Sequence, residues 1–264
     1  MGLKLYRINA LVIRHLYLYK RSMPRLMDIF FWPVMELLLW GFISIYLAKS
    51  NFAGTNVVTV LLGAVIFWDL LSQSQRAVSI AFLEDVWERN FLNIFVTPIS
   101  LLEFVASTVV LGLVRVFLVV IVMSALAFAF YAFNIFTFGF YLIPFVANLL
   151  LFGWALGLFT TAIILRYGSS AQVLAFGFIF LIQPFSAVFY PASVLPESVR
   201  WISFILPSTH VFEGMRAVIA TGSSALPELV WAFLPNIIYL AVILLFFYKM
   251  FAQVKAKGRL LKLD

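Results

Sequence analysis

Residues 82–98 read FLEDVWERNFLNIFVTP. Glu84, Asp85, Glu88 and Arg89 stand here between two long apolar runs, 57–81 and 101–133. Each run exceeds the ~20 mostly apolar residues that a membrane-crossing helix needs. The charged stretch therefore reads as the turn of a hairpin whose two arms lie in a bilayer. On a helix, Glu84 and Glu88 fall one turn apart, as do Asp85 and Arg89, and Asp85 can pair with Arg89. Val86, Trp87 and Ile94 point the other way, while Phe91, Leu92 and Phe95 return to the charged sector. A helix that is apolar on several sides needs cover on several sides, and Pro98 ends it. From these residues alone, docking into a groove of another protein and a plain solvated loop are equally compatible.

Composition places the rest of the chain around this turn. Of 264 residues, 64% are hydrophobic and 11% are charged, against about 25% charged in a soluble domain. That leaves too little polar material to cover a water-facing surface, so the fold class is an all-α membrane protein. The 30 Phe, 10 Tyr and 7 Trp supply much of the packing area. There is no cysteine, hence no disulfide and no thiolate chemistry. The net charge of +7 fits basic loops on the inner side of a membrane better than nucleic-acid binding. The first 25 residues lack an apolar core followed by a small-residue cleavage site, so no removable signal peptide is expected.

Six stretches satisfy the length and hydropathy of a span: 26–48, 57–81, 101–133, 138–165, 171–190 and 229–251. An even number puts both termini on one side. Lys4, Arg7, Arg14, Lys20, Arg21 and Arg25 precede the first span, and Lys249, Lys255, Lys257, Arg259 and Lys262 follow the last. Arg89 and Arg166 join them, while the opposite side carries Lys49, Arg200 and Arg216. The basic side is the cytoplasm by the positive-inside rule, which predicts an inner-membrane, multi-pass protein with both ends inside. Residues 3–22 mix these cations with Leu3, Leu5, Ile8, Leu11, Val12, Leu16 and Leu18. That pattern predicts an amphipathic helix lying along the inner surface.

Ionisable and amide groups within spans cost ~3 kcal/mol or more at mid-membrane and mark functional candidates. They are Glu36 in span one, Asp69, Gln73 and Arg76 on one face of span two, Arg115 in span three, and Gln183, which with Pro184 interrupts span five. Two readings stay open: the charges pair with one another inside the bundle, or some of them line a pathway. Gly153 and Gly157 form a GxxxG step that predicts close helix packing, within the chain or between two copies. Neither His15 nor His210 has spacing that suggests a metal site.

Residues 191–227 read PASVLPESVRWISFILPSTHVFEGMRAVIATGSSALP. Prolines 191, 196, 207 and 227 divide the segment, and helices are expected at 197–205 and 209–220. Val211, Met215, Val218 and Ile219 form an apolar stripe at helical spacing, and Glu213 sits three residues before Arg216. Non-helical backbone at membrane depth needs protein cover, so this segment reads as a re-entrant helical hairpin on the outer side, with His210 as a hydrogen-bonding residue.

The sequence resembles the permease subunit of type-2 ABC exporters, the ABC-2 type transporter family. The likeness rests on Tyr190–Arg216, where Pro191, Leu195-Pro196, Pro207, Thr209-His210, Glu213 and Arg216 follow the family's order. It rests also on ERNFLNIFVTPIS after span two. The resemblance implies one domain over 1–264: a connecting helix at 1–25, a coupling helix at 82–98 and an external hairpin at 191–227. It implies that Glu84, Asp85, Trp87, Glu88, Arg89 and Phe91 dock on a separate nucleotide-binding subunit, and that Pro207, His210, Glu213 and Arg216 shape the hairpin. It further implies pairing with a second copy and contact with membrane lipid. No G-x-x-x-x-G-K-[ST] phosphate cradle occurs, so ATP and Mg are expected on the partner and no cofactor on this chain. The exported substrate would be a hydrophobic or amphipathic small molecule, a lipid or a lipid-linked glycan. The alternatives are an ATP-independent carrier or channel, for which no inverted repeat is visible, and an intramembrane enzyme, for which the acidic cluster has no histidine beside it.

Overall fold

The computed structural model describes residues 3–50, 57–88 and 90–256, and among them every regular element is helical. In chain order these are α1 (Leu5–Lys20), α2 (Met23–Lys49), α3 (Val57–Trp87), α4 (Phe91–Val96) and α5 (Leu101–Tyr131), then α6 (Leu142–Tyr167), α7 (Val173–Ile182), α8 (Glu197–Ile205), α9 (Pro207–Thr221) and α10 (Leu226–Ala256). Among the described residues, five segments are long and apolar enough to cross a bilayer: α2, α3, α5, α6 with the 3₁₀ stretch Ile135–Tyr141 that leads into it, and α10.

The expected fifth span at 171–190 breaks at Gln183 and Pro184, the residues read as interrupting it. Helix α7 has 10 residues, about 15 Å at 1.5 Å per residue, and passes into the 3₁₀ turn Gln183–Phe185. Pro184 has no N–H to continue an α-helical ladder. The expected single helix over 82–98 is absent. Helix α3 runs on to Trp87 and reaches 31 residues, the chain breaks, and α4 is a separate helix of 6 residues. With no Gly or Pro between 64 and 97, nothing local ends α3 at Ala81.

Helix α3 is the axis of the bundle. In its most apolar stretch 78% of residues are buried within the protein, against 17% for α10. Close approach of α6 makes this possible. A Cβ on Gly153 would lie 2.8 Å from the Leu71 carbonyl oxygen, and one on Gly157 would lie 2.7 Å from that of Gln75. The GxxxG step therefore seats α6 on α3 of the same chain, which answers the question its spacing left open. Gln75 adds a polar clasp: its Nε2 donates to Ala175 O of α7 at 3.2 Å and to Thr160 Oγ1 of α6 at 3.4 Å.

Helix α1 lies beside the first half of α5. At one end the Lys4 amide donates to Glu103 Oε1 at 3.0 Å, and at the other Arg115 Nη1 donates to Tyr19 OH at 3.4 Å. Ile8, Leu11, Val12, His15 and Tyr19 are buried, the i, i+3/i+4 spacing of one helix face. Leu5, Tyr6, Ile13 and Tyr17 are exposed on the other. Helix α5 opens on a capping box: Ser100 Oγ accepts from the Glu103 amide at 3.2 Å and Glu103 Oε2 from the Ser100 amide at 2.8 Å. Such a box is worth about 1 kcal/mol.

Helix α8 has the bounds that its flanking prolines predict. Helix α9 starts two residues earlier than expected, at Pro207, whose fixed φ suits the first helical position. It ends at Gly222, whose φ of 61° is the left-handed conformation that glycine takes without strain.

Candidate functional site at the α1 end of the bundle

The last turns of α3 carry Glu84, Asp85 and Glu88, and the folded chain surrounds two of them. Asp85 Oδ1 lies 2.7 Å from Arg14 Nη2, and its Oδ2 lies 3.6 Å from His15 Nε2. Glu84 Oε1 lies 3.1 Å from Arg25 Nε. Glu88 bridges the two cations, 2.6 Å from Arg25 Nη2 and 3.5 Å from Arg14 Nη2. Residue exposure is 6% at Glu84 and 1% at Asp85. Both were expected on a surface that docks a partner; both are covered by α1 and α2 instead. Successive residues on a helix point ~100° apart, so Glu84 serves α2 while Asp85 serves α1.

The turn after α3 is held at several points. Ile94 of α4 is buried in the same apolar cluster as Leu11, Phe82 and Phe104. Arg7 of α1 donates to the Pro98 carbonyl and lies 3.4 Å from Glu103 Oε2. Trp87 Nε1 donates to Gln172 Oε1 at 3.2 Å, tying the turn to the segment before α7. Trp87, Glu88, Asn93, Val96, Thr97 and Pro98 are exposed. Arg89 lies outside the described residues, and of Phe91 only the backbone is described.

Deeper in the bundle, Asp69 Oδ1 lies 3.6 Å from Arg76 Nη2 on the same helix. Gln73 Nε2 donates to Ile29 O of α2 at 3.4 Å. Glu36 of α2 is near enough to Arg76 to interact with its charge. Arg115 of α5, whose charge also reaches Asp69, meets Tyr19, its guanidinium carbon 5.4 Å from the ring centre. Burial pushes the Tyr19 hydroxyl above its ordinary pKa, and the neighbouring Arg115 offsets part of that rise. Tyr19 therefore stays a neutral phenol at physiological pH. Gln183 sits half-buried at the break after α7. Gln75 was missed as a site residue. The unbroken polar run Ser72-Gln73-Ser74-Gln75 in an apolar span was its signal, because four successive residues cover every side of a helix.

At the opposite end, Pro207 begins α9 and His210 is clamped. Its Nδ1 lies 2.8 Å from Glu228 Oε2 and its Nε2 3.0 Å from Phe204 O. The ring thereby links Glu228 of α10 to the last turn of α8. Glu213 Oε1 accepts from the Ala192 amide at 2.6 Å and lies 3.2 Å from Arg216 Nη2. Arg216 Nη1 donates to Val188 O at 3.2 Å. These bonds pin the loop 186–196 to α9.

A sequence model of the family described as ABC-2 type transporter matches residues 6–220, which takes in α1 to α8 and nearly all of α9. The chain belongs to that family. The membrane domain of ABC-2 transporters is a transmembrane permease that carries no nucleotide-binding domain. No curated protein matches the chain in sequence. In this ABC-2 membrane domain the turn after α3 combines exposed side chains at Trp87, Glu88, Val96, Thr97 and Pro98 with bonds to α1, α2 and Gln172.

Proposed function

We propose that this ABC-2 permease forms the translocation pathway of an ATP-driven exporter as a pair of identical chains, coupled to a separate nucleotide-binding subunit that holds ATP and Mg. The pair would be isologous, each copy offering the same surface to the other. The observation that carries the coupling assignment is the bracing of residues 87–98. They expose Trp87, Val96, Thr97 and Pro98, yet are tied to α1 by Arg7 and Arg14, to α2 by Arg25 and to Gln172 before α7. A push on this knuckle moves those elements together, and differential contact in two states is what shifts a conformational equilibrium.

In this reading Trp87, Glu88 and the α4 surface meet the partner, with Arg89 and Phe91 beside them. Glu84 and Asp85 act from inside by holding α1 and α2 to the knuckle. In this reading the chain crosses an inner membrane six times, α7 and the turns after it serving as the fifth passage, and the positive-inside rule puts both termini in the cytoplasm. Segment 191–227 caps the outer end. Glu36, Asp69, Gln73 and Arg76 form a polar cluster beside the pathway. The substrate is hydrophobic or amphipathic: a small molecule, a lipid or a lipid-linked glycan.

The test is reconstitution in vesicles with and without the ATPase subunit. Substrate movement is expected only with the ATPase and ATP present. Equal movement by the permease alone would replace this reading with that of an independent carrier or channel.

A further inference from the structure

A cavity of about 280 Å³ lies where the end of α1, the start of α2, the last turns of α3, the first half of α5 and α7 converge. Its apolar wall includes Ile80, Trp87 and Phe176, and its ionisable lining is Arg25, Asp28, Glu84 and Arg115. Two cations and two carboxylates make the lining neutral in sum, but they are not all spent on one another. Arg25 is taken, at 3.1 Å from Glu84 and 2.6 Å from Glu88.

Arg115 is not taken. It is 4% exposed, its Nε has no hydrogen-bond partner among the described residues, and its bond to Tyr19 is a 3.4 Å contact with a neutral hydroxyl. Among the described residues no carboxylate lies within ion-pair distance of it. The Arg115 charge reaches the carboxylates of Asp69 and Glu84 only from beyond ion-pair distance; a buried charge without a close counter-charge is costly, and a ligand anion would reduce that cost. On the other side, Glu84 Oε2 is buried without a hydrogen-bond partner, and half-buried Asp28 has no ion pair among the described residues. The cavity thus presents one unspent cation and unspent carboxylate oxygen, beside an aromatic and aliphatic wall.

A purely anionic amphipath would face Asp28 and Glu84. A purely cationic one would face Arg115. We propose that this cavity binds the headgroup of a zwitterionic amphipath, its phosphodiester on Arg115 and its primary ammonium on Asp28 and the free oxygen of Glu84, with the first carbons of its tail along Ile80 and Phe176. Phosphatidylethanolamine has this chemistry, either as a resident lipid or as the headgroup of the cargo. Binding needs neither the ATPase nor the dimer, so it stands or falls separately from the coupling mechanism.

Native mass spectrometry of the full chain in detergent, titrated with phosphatidylethanolamine or phosphatidylglycerol of matched chains, tests it. The wild type is expected to retain phosphatidylethanolamine at about tenfold lower lipid concentration, the size of one charge-assisted hydrogen bond. Asp28→Asn is expected to abolish that preference by weakening phosphatidylethanolamine alone. Arg115→Gln is expected to weaken both lipids. Asp28 is half-buried at the bundle end and has no ion pair among the described residues, so its variant should fold and carries the decision. Equal retention of the two lipids by the wild type, or an undiminished preference in Asp28→Asn, overturns the proposal. In vesicles holding the complete transporter, ATP-dependent transfer of head-labelled phosphatidylethanolamine identifies cargo. Retention without transfer identifies a resident lipid, and either result upholds the site.

Discussion

Asp85 of α3 and Arg14 of α1 are joined at 2.7 Å, with side-chain exposures of 1% and 28%. The pair fastens the amphipathic N-terminal helix to the axis of the bundle. Its two ends differ in their options when separated. Arg14 can turn to water or remain on Glu88 at 3.5 Å, whereas among the described residues Asp85 would keep only His15 at 3.6 Å.

Removing the two partners should therefore cost unequal amounts. Arg14→Ala orphans a buried carboxylate and should destabilise the purified protein by about 3 kcal/mol, the lower range for breaking a buried pair. Asp85→Ala should cost about 1 kcal/mol less, because Arg14 is resolvated. Thermal melts in detergent with a double-mutant cycle measure both. Equal and negligible costs would show that α1 is not latched by this pair.

Gly157→Ala places a Cβ 2.7 Å from the Gln75 carbonyl and 2.8 Å from Val78 Cβ. Backbone cannot yield as a side-chain tip does, so the cost should be about 1–3 kcal/mol. The contact is within one chain, so the loss should be the same in dilute and concentrated detergent samples. A loss that disappears on dilution would move the GxxxG step to an interface between copies.

Val96 is 85% exposed, so Val96→Asp should leave the melting midpoint within about 0.5 kcal/mol of wild type, as for other surface changes. If the knuckle enters a groove on the ATPase, a charge there should lower partner-stimulated ATP hydrolysis about tenfold. Full stimulation with Asp at this position would place the docking surface elsewhere.

Reporter fusions read the direction of the bundle. Fusions at Gly168 and at the C-terminus are expected to report the cytoplasm, and one at Ser223 the far side. A cytoplasmic signal from Ser223 would break the six-passage topology.

The helices were legible one at a time. Pro196 and Pro207 bound α8, and apolar length identifies the long helices, because breakers and hydropathy act within a few residues of themselves. The surroundings of Glu84 and Asp85 were not legible. A charged turn between two spans looks like a water-facing surface until α1 is folded across it. The break at Gln183-Pro184 was visible as a proline, but its effect depends on whether neighbouring groups let the helix resume.

Composition and apolar segment length by themselves determined an all-helical membrane protein with a charged knuckle between α3 and α5, since the cost of placing a segment in lipid is a property of that segment alone. Tertiary structure alone decided that α3 is the axis, that Gly153 and Gly157 receive it, that Gln75 clasps α6 and α7, and that two acids turn inward to Arg14 and Arg25. In spans that are apolar on every side, no periodicity marks the inward face, and only the neighbour that fits decides it.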